Sequence, residues 1–178
     1  FRDLINTPVP RWDLIDFNNY SNMVVQTTRG CPESCTFCNI PSLYGKKTRI
    51  KAKSRMVQEL DALYDLGWRG AIMAVDDNFV GNADAIRESL VDDVIPWQEE
   101  RGYPFQFHTQ ASIRVSDDEP LMDAMWGAGF DKVFAGIESP VEESLKFMGA
   151  RKNLQGNTTL LDKVKKLQAY GFEVQAGF

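Results

Sequence analysis

Short apolar runs alternate with longer amphipathic segments along most of this chain, and this alternation constrains the fold more than any other feature. The apolar runs predict five β-strands, at residues 22–28, 71–75, 105–110 and 132–137 and from Phe172 onward. The amphipathic segments predict helices near residues 54–66, 82–100, 121–126, 142–147 and 157–170. A repeated strand–helix order favours a parallel sheet with right-handed crossovers. Repeats of roughly 30–40 residues fit a TIM-like (β/α) barrel, open or partial, or a doubly wound sheet.

Local signals add detail to three of these elements. The run at residues 71–75 is apolar throughout, which is typical of a strand buried on both faces. Ser116 and Glu119 have the spacing of a capping box before the third helix. Asn82 is the predicted cap of the second helix, and Pro96 predicts a kink within it.

Length and composition limit the functions that a chain like this performs. Its 178 residues suit one domain, with a lead-in at 1–20 and a core at 21–178. A net charge of −5 argues against a general nucleic-acid-binding protein. No apolar run approaches the roughly 18 residues of a membrane span, and no signal-peptide pattern opens the chain. The chain begins without Met and ends within a predicted strand, so we expect an excised segment of a longer protein.

All three cysteines lie in one short loop after the first predicted strand. Cys31, Cys35 and Cys38 are spaced C-x3-C-x2-C, so a long-range disulfide framework is excluded and a reducing cytoplasm is expected. Three thiolates on one loop can converge on a soft metal centre. Structural zinc and ordinary electron-transfer clusters take four protein ligands, and the single histidine, His108, lies on another predicted strand. Three cysteines indicate a cluster with one open iron, with a non-catalytic zinc- or cluster-binding module as the alternative.

Polar residues follow the other predicted strands, at the edge where β/α barrels place their active sites. Asp76, Asp77 and Asn78 follow the second strand, Gln110 ends the third, and Glu138 and Ser139 end the fourth. The first group could instead cap the next helix, Glu138 could pair with Lys132, and Gln110 could simply finish its strand. We interpret His108 as a core or rim histidine and leave it off the site.

A basic stretch, residues 45–55, follows the cysteine loop. A solvated loop leading into a helix is the interpretation that we favour for it. Attraction of an anionic substrate or partner is the functional alternative.

The cysteine loop, with aromatic Phe37 before the last cysteine, resembles the signature of the radical S-adenosylmethionine (radical SAM) enzymes. The resemblance implies a [4Fe-4S] cluster held by Cys31, Cys35 and Cys38, with SAM on the open iron, and formation of a 5′-deoxyadenosyl radical. It also implies a partial barrel, here truncated after the fifth strand. It assigns the cofactor-binding residues by position: Phe37 and Ile40 beside adenine, Asp76, Asp77 and Asn78 near the methionyl amino group, Gln110 at the end of the third strand, Glu138 and Ser139 near the ribose or methionyl end, and Gly177 at the adenine motif of the fifth strand.

Further stretches resemble the cobalamin-dependent branch of that family, which includes hopanoid methylases and the magnesium-protoporphyrin monomethyl ester oxidative cyclase. These stretches are residues 44–49, 61–70, 75–82 and 136–140. The resemblance implies a C-methyltransferase whose cobalamin is bound by a preceding domain absent here, with an oxidative cyclase or another radical oxidoreductase as the alternative. It implies a small-molecule, lipid or porphyrin substrate and a reductant such as flavodoxin or ferredoxin. We expect the isolated chain to be inactive, and we expect the edge of its fifth strand to be covered by formation of a homodimer or in another way.

Overall fold

The computed structural model describes residues 3–178. Seven strands and seven α-helices follow one another in the order β1 (Met23–Val25), β2 (Thr28–Arg29), α1 (Ile40–Tyr44), β3 (Arg49–Ile50), α2 (Lys53–Asp65), β4 (Gly70–Ala74), α3 (Ala83–Ser89), α4 (Ile95–Glu100), β5 (Phe105–Ala111), α5 (Glu119–Gly127), β6 (Phe130–Gly136), α6 (Glu142–Phe147), α7 (Leu160–Tyr170) and β7 (Glu173–Gly177). Short 3₁₀ turns lie at Trp12–Leu14, Phe17–Asn19, Phe79–Asn82, Ile113–Asp117 and Arg151–Leu154. Within residues 3–178, no helix is long and apolar enough to cross a membrane.

Five strands form one parallel sheet in the order β1-β4-β5-β6-β7, and this confirms the predicted α/β fold. Because all four strand pairings are parallel, the carboxyl ends of the strands share one edge of the sheet. The order is that of a partial barrel. Strands β1 and β7 are the outer strands among the described residues, and pairing of β7 with a second copy stays a prediction.

The helices cover one face of this sheet, and the hydrophobic core lies between the helices and the sheet. On β5 the side chains of Phe105, Phe107 and Ala111 are buried in that core, whereas Gln106 and Gln110 are exposed on the opposite face. This alternation follows from the period of two along a strand. The prediction that residues 71–75 form a strand buried on both faces is wrong, because only alternate side chains are covered and Val75 is 36% exposed.

The first predicted strand, residues 22–28, is divided in the structure. Its beginning, β1, pairs with β4, and the chain then leaves the sheet. Its end, β2, pairs antiparallel with β3, which lies within the basic stretch. This departure from the sheet carries the cysteine loop to the carboxyl edge. The division into a lead-in and a core remains a prediction.

The predicted cap of α5 is corrected. The carboxylate of Asp118, and not the hydroxyl of Ser116, caps α5 by accepting from the Leu121 amide at 3.0 Å. Ser116 instead donates its hydroxyl to the Ile113 carbonyl at 2.9 Å, which closes a 3₁₀ turn. The predicted capping box is therefore wrong.

The helix predicted at residues 82–100 contains a π-helical turn, Leu90–Val94, between α3 and α4. Pro96 lies in the first turn of α4, where its missing N–H is best tolerated. The helix is therefore irregular near Pro96, as predicted, and the irregularity is the π-helical turn that precedes α4.

Candidate functional site

A cavity of about 260 Å³ lies where the parallel strands end. Most of the residues predicted from the sequence line it, namely Cys31, Cys35, Phe37, Cys38, Ile40, Asp77, Asn78, Gln110, Glu138 and Gly177. Asp76 and Ser139 are not among the lining residues. The structure thus brings together side chains from five separate segments at one edge of the sheet, as the strand–helix order predicts.

The cysteine loop is anchored at its start by Asp77. The Asp77 carboxylate accepts from the Gly30 amide at 2.7 Å, and the Cys31 amide donates to the Gly45 carbonyl at 3.2 Å. Gly30 has a φ of +98°, and a Cβ there would lie 2.6 Å from the Lys47 carbonyl oxygen. Both the conformation and the close approach require glycine at this position.

The far side of the loop is anchored to the end of α6. Thr36 donates its amide and its hydroxyl to the Met148 carbonyl at 2.9 and 3.1 Å. Within the loop, the Cys38 amide donates to the Cys35 carbonyl at 3.1 Å. These bonds, with those of Gly30 and Cys31, fix the path of the loop from both ends.

The three thiols are free, with Cys35 buried and the other two half-buried. Burial raises the pKa of the Cys31 and Cys35 thiols, and the negative charge of Glu33 acts in the same direction. Lys152 opposes this increase in pKa at both cysteines. Binding a metal would therefore displace protons from these thiols.

Among the described residues, the three cysteines are not placed to hold a single metal ion. Among residues 3–178 no group of three or more His, Cys, Asp and Glu side chains is placed to hold one metal ion. Structural zinc needs four ligands around one centre, whereas a cluster takes its thiolates on different irons.

Asp76, Asp77 and Asn78, which follow Val75 at the end of β4, differ in their contacts. Asp76 is buried and accepts from the amides of Thr27, at 3.4 Å, and Thr28. Burial raises its pKa to about 6, and the hydrogen bonds of both threonines oppose that rise. Asn78 accepts from the Ser112 amide at 3.0 Å, which joins this loop to the end of β5. Asp76 therefore holds the segment that leads into the cysteine loop through its hydrogen bonds to Thr27 and Thr28. Asp77 and Asn78 face the cavity.

Glu138 has an unusual backbone for a residue other than glycine. Its φ is +65°, and the Ser139 amide donates to the Ile137 carbonyl at 2.7 Å, so residues 137–139 form a γ-turn. The Ile137 and Glu138 amides both donate to the Gly177 carbonyl at 2.9 Å. The turn is held by the end of β7, and backbone strain of this kind is often found at functional sites.

The Glu138 carboxylate pairs with Lys152 across 3.3 Å at the cavity wall. The interpretation that Glu138 pairs with Lys132 is wrong, because Lys132 pairs with Glu173 at 3.1 Å across neighbouring strands. Gly136 makes room for this ion pair, since a Cβ there would lie 2.3 Å from the Glu138 Oε1 atom.

Sequence reasoning missed several lining residues, namely Glu33, Pro41, Ala111, Ser112, Phe134, Gly136 and Lys152. Phe134 could have been found, because it lies opposite Gln110 in the parallel register and alternates with the buried Val133 and Ala135. No sequence pattern indicates that Lys152 lines the cavity, because its position depends on the turn that follows α6. His108 lies on β5 away from the lining, and burial lowers its pKa.

Comparison with known families shows to which family the chain belongs. The sequence model of the radical SAM superfamily matches residues 25–177. The chain belongs to the radical SAM superfamily. The resemblance carried by the cysteine loop is thereby confirmed.

Relatives of this radical SAM chain are named as methyltransferases. An uncharacterized methyltransferase of Synechocystis sp. is 46% identical over 176 residues, covering 99% of this chain and 32% of that protein. The hopanoid C-2 methylase of Rhodopseudomonas palustris is 33% identical over 175 residues, covering 98% of this chain and 33% of that protein. The chain thus spans about a third of the length of the curated relatives it matches.

Solved structures confirm the fold. The radical SAM methyltransferase TsrM from Kitasatospora setae, with tryptophan and a SAM analogue bound, superposes with a TM-score of 0.76 at 16% identity. The match covers 90% of this chain and 30% of TsrM. A second TsrM structure, with cobalamin and a [4Fe-4S] cluster bound, has a TM-score of 0.73 at 17% identity.

Proposed function

We propose that Cys31, Cys35 and Cys38 hold a [4Fe-4S] cluster in this cavity and that SAM binds beside it on the open iron. The single observation that supports this most is that the three free thiols line one cavity together with Glu138 and Lys152. When bound, the cluster would supply the electron that cleaves SAM to a 5′-deoxyadenosyl radical. The protein would hold, orient and shield the reactants.

Charge complementarity supports the assignment of the SAM site. The methionyl end of SAM carries one ammonium and one carboxylate. Glu138 and Lys152 present the opposite charges 3.3 Å apart at the cavity wall. Charged hydrogen-bonding partners of this kind orient a zwitterion strongly. We assign Glu138 to the amino group or ribose hydroxyls of SAM and Lys152 to its carboxylate.

The remaining lining residues would complete the cofactor site. Phe37, which is 53% exposed at the cavity rim, would cover the cluster and one side of adenine. Ile40 and Gly177 would line the other side. Asp77 and Asn78 would keep the cysteine loop in place, and Gln110 would lie toward the substrate. Asp76 and Ser139 stay candidates without a direct contact to the cavity.

We further propose that the complete protein transfers a methyl group to carbon with the help of cobalamin. The names of the relatives support methyl transfer over an oxidative cyclase, and one solved structure of a structural neighbour contains both cobalamin and a [4Fe-4S] cluster. We do not propose that any residue of this chain contacts cobalamin. A small-molecule, lipid or porphyrin substrate, a flavodoxin or ferredoxin as reductant and a cytoplasmic location remain part of the proposal. The zinc-binding module has no four-ligand group among residues 3–178 to support it.

The experiment is an anaerobic assay of 5′-deoxyadenosine by mass spectrometry. The full-length protein is reconstituted with iron and sulfide and supplied with SAM and dithionite. We expect the nucleoside with the wild type and none with Cys38→Ala, which removes one cluster ligand. A Ser34→Ala variant, altered in the same loop at an exposed position, is the matched control and should retain the product. Equal product from wild type and Cys38→Ala would contradict the proposal.

A further inference from the structure

The 3₁₀ turn after α6 carries two neighbouring residues that both contact the γ-turn at Glu138. Lys152 pairs with the Glu138 carboxylate across 3.3 Å. The next residue, Asn153, donates its Nδ2 group to the carbonyl oxygens of Gly136 at 3.0 Å and of Ile137 at 2.7 Å. These two carbonyls belong to the residues that immediately precede Glu138. The ion pair and the carboxamide therefore join the same two segments of the chain.

The chemistry of a carboxamide suits the contact that Asn153 makes. Its single nitrogen carries two hydrogens, one for each of the two successive carbonyls. The side chain is 4% exposed, and its Oδ1 atom is buried with no hydrogen-bond partner among residues 3–178. Burying an acceptor without a donor costs free energy and offsets part of what the two hydrogen bonds contribute to stability. The carboxamide therefore adds little net stability, and its main effect is to fix the position of the turn.

Other contacts hold the two segments from their far sides. The Glu138 amide donates to the Gly177 carbonyl at 2.9 Å, which fixes the γ-turn against β7. The Gln155 carbonyl accepts from the buried ammonium of Lys163 at 2.6 Å, which fixes the end of the 3₁₀ turn against α7. Asn153 lies between these anchors and links one segment directly to the other.

We propose that Asn153 is a positioning residue of the SAM site, which fixes the spacing between the Glu138 carboxylate and the Lys152 ammonium. The proposal rests on the proposed function, in which these two charges orient the methionyl end of SAM. The ammonium and carboxylate of SAM are attached to one carbon atom, so their partners in the protein must also be held at a fixed spacing. Asn153 does not line the cavity, so it would act on SAM only through these two neighbours.

Gln98 provides a matched control at the opposite edge of the sheet. This fully buried residue donates its Nε2 group to the carbonyls of Phe105 at 2.8 Å and Ala128 at 3.0 Å. Its Oε1 atom is likewise buried without a partner in the described part of the chain. Phe105 begins β5, so this carboxamide lies at the amino edge of the sheet, away from the cavity. Its removal should disturb the fold much as removal of Asn153 does, without changing the SAM site.

Two variants remove these carboxamides. Asn153→Leu and Gln98→Met each replace the carboxamide by an apolar side chain of similar size. Thermal unfolding of the full-length protein identifies the variants that are folded. Asn153→Ala removes the same donor without a branched side chain and replaces Asn153→Leu if that variant does not fold.

The first experiment measures equilibrium binding of SAM to the anaerobically reconstituted full-length protein. Residues that orient the direct ligands of a bound group contribute about ten- to a hundredfold to affinity, so we expect Asn153→Leu to bind SAM about tenfold more weakly. Gln98→Met should bind SAM like the wild type. In a Glu138→Gln background the effect of Asn153→Leu should shrink, because the ion pair is already lost. Unchanged affinity in Asn153→Leu, equal weakening by Gln98→Met, or the same loss in both backgrounds would overturn the proposal.

Hydrogen exchange separates this proposal from the proposed function, because it needs neither cluster nor SAM. Mass spectrometry of the full-length protein without its cluster follows the amides of residues 137–139, which close the turn. We expect exchange about tenfold faster in Asn153→Leu and unchanged exchange in Gln98→Met. Unchanged exchange in Asn153→Leu contradicts the proposal even if SAM binds as expected. If the wild type binds no SAM, the proposed function fails, and faster exchange in Asn153→Leu still supports the hold of Asn153 on the turn.

Discussion

At the scale of single residues, the strained turn at Glu138 shows how the site combines backbone and charge. The γ-turn aims a carboxylate at Lys152, and Gly136 leaves space for it. A methyl group at Gly136 would meet the flexible end of the Glu138 side chain and not the backbone. The carboxylate can therefore move away at little cost in folding but would lose its position.

We predict that Gly136→Ala lowers the affinity for SAM about tenfold, which is about 1.4 kcal/mol, with less than about 1 kcal/mol lost in stability. Equilibrium binding of SAM to the reconstituted protein measures the first quantity, and thermal unfolding the second. If the effect acts through Glu138, it should shrink in a Glu138→Gln background. Fully additive losses in the double variant would contradict this explanation.

Asp76 links pH to stability at the residue scale. Burial raises its pKa from 3.8 to about 6, so the folded chain binds more protons than the unfolded chain between these values. Its contribution to stability is therefore greatest below about pH 4 and is lost as the pH rises through about 6. Two pKa units correspond to about 3 kcal/mol.

Asp76→Asn keeps an acceptor for the Thr27 and Thr28 amides and removes the titration. We predict that the free energy of unfolding of the variant, relative to wild type, rises by about 3 kcal/mol between pH 4 and pH 7. Urea unfolding at several pH values measures this difference. A constant difference across that range would show that burial does not raise the pKa of Asp76.

At the scale of secondary-structure elements, α5 offers a direct test of the corrected cap. Asp118 accepts from the Leu121 amide, whereas Glu119 pairs with Lys166. We predict that Asp118→Ala costs about 1 kcal/mol, typical of a lost N-cap, whereas Glu119→Gln costs a few tenths. Chemical denaturation of both variants measures this. A larger loss for Glu119→Gln would favour the capping box at Ser116.

The elements also show where sequence patterns succeed. Periodicity locates α2 and α7 well, because their apolar positions recur on one helical face that packs on the sheet. Periodicity fails at residues 22–28. An apolar pattern does not reveal that the amides of Thr27 and Thr28 donate to the Asp76 carboxylate and not to a neighbouring strand of the sheet. The sequence pattern also fails at Ser116, because two candidate caps lie two residues apart and tertiary packing selects Asp118.

At the scale of the whole molecule, the parallel order of the strands accounts for most of the site. Once the sheet is predicted, the residues after each strand must meet at one edge, and Asn78, Gln110 and Glu138 do so. Lys152 and the γ-turn could not be predicted, because they depend on how the segment after β6 folds back. The pairing of Glu138 is likewise a tertiary contact that spacing does not encode.

The charge distribution is a second property of the whole molecule. The basic stretch and the cysteine loop are consecutive in sequence, so their proximity is in part expected from the chain itself. The structure adds the hydrogen bond that the Lys46 ammonium donates to the Ser34 hydroxyl at 2.9 Å.

The central claim is that three cysteines hold a cluster with one iron open to SAM. The most direct measurement is electron paramagnetic resonance of the anaerobically reconstituted and reduced full-length protein, recorded with and without SAM. We predict a [4Fe-4S] signal that changes when SAM is added and that is absent in Cys31→Ala. A cluster signal that SAM leaves unchanged, or one that survives Cys31→Ala, would contradict the claim.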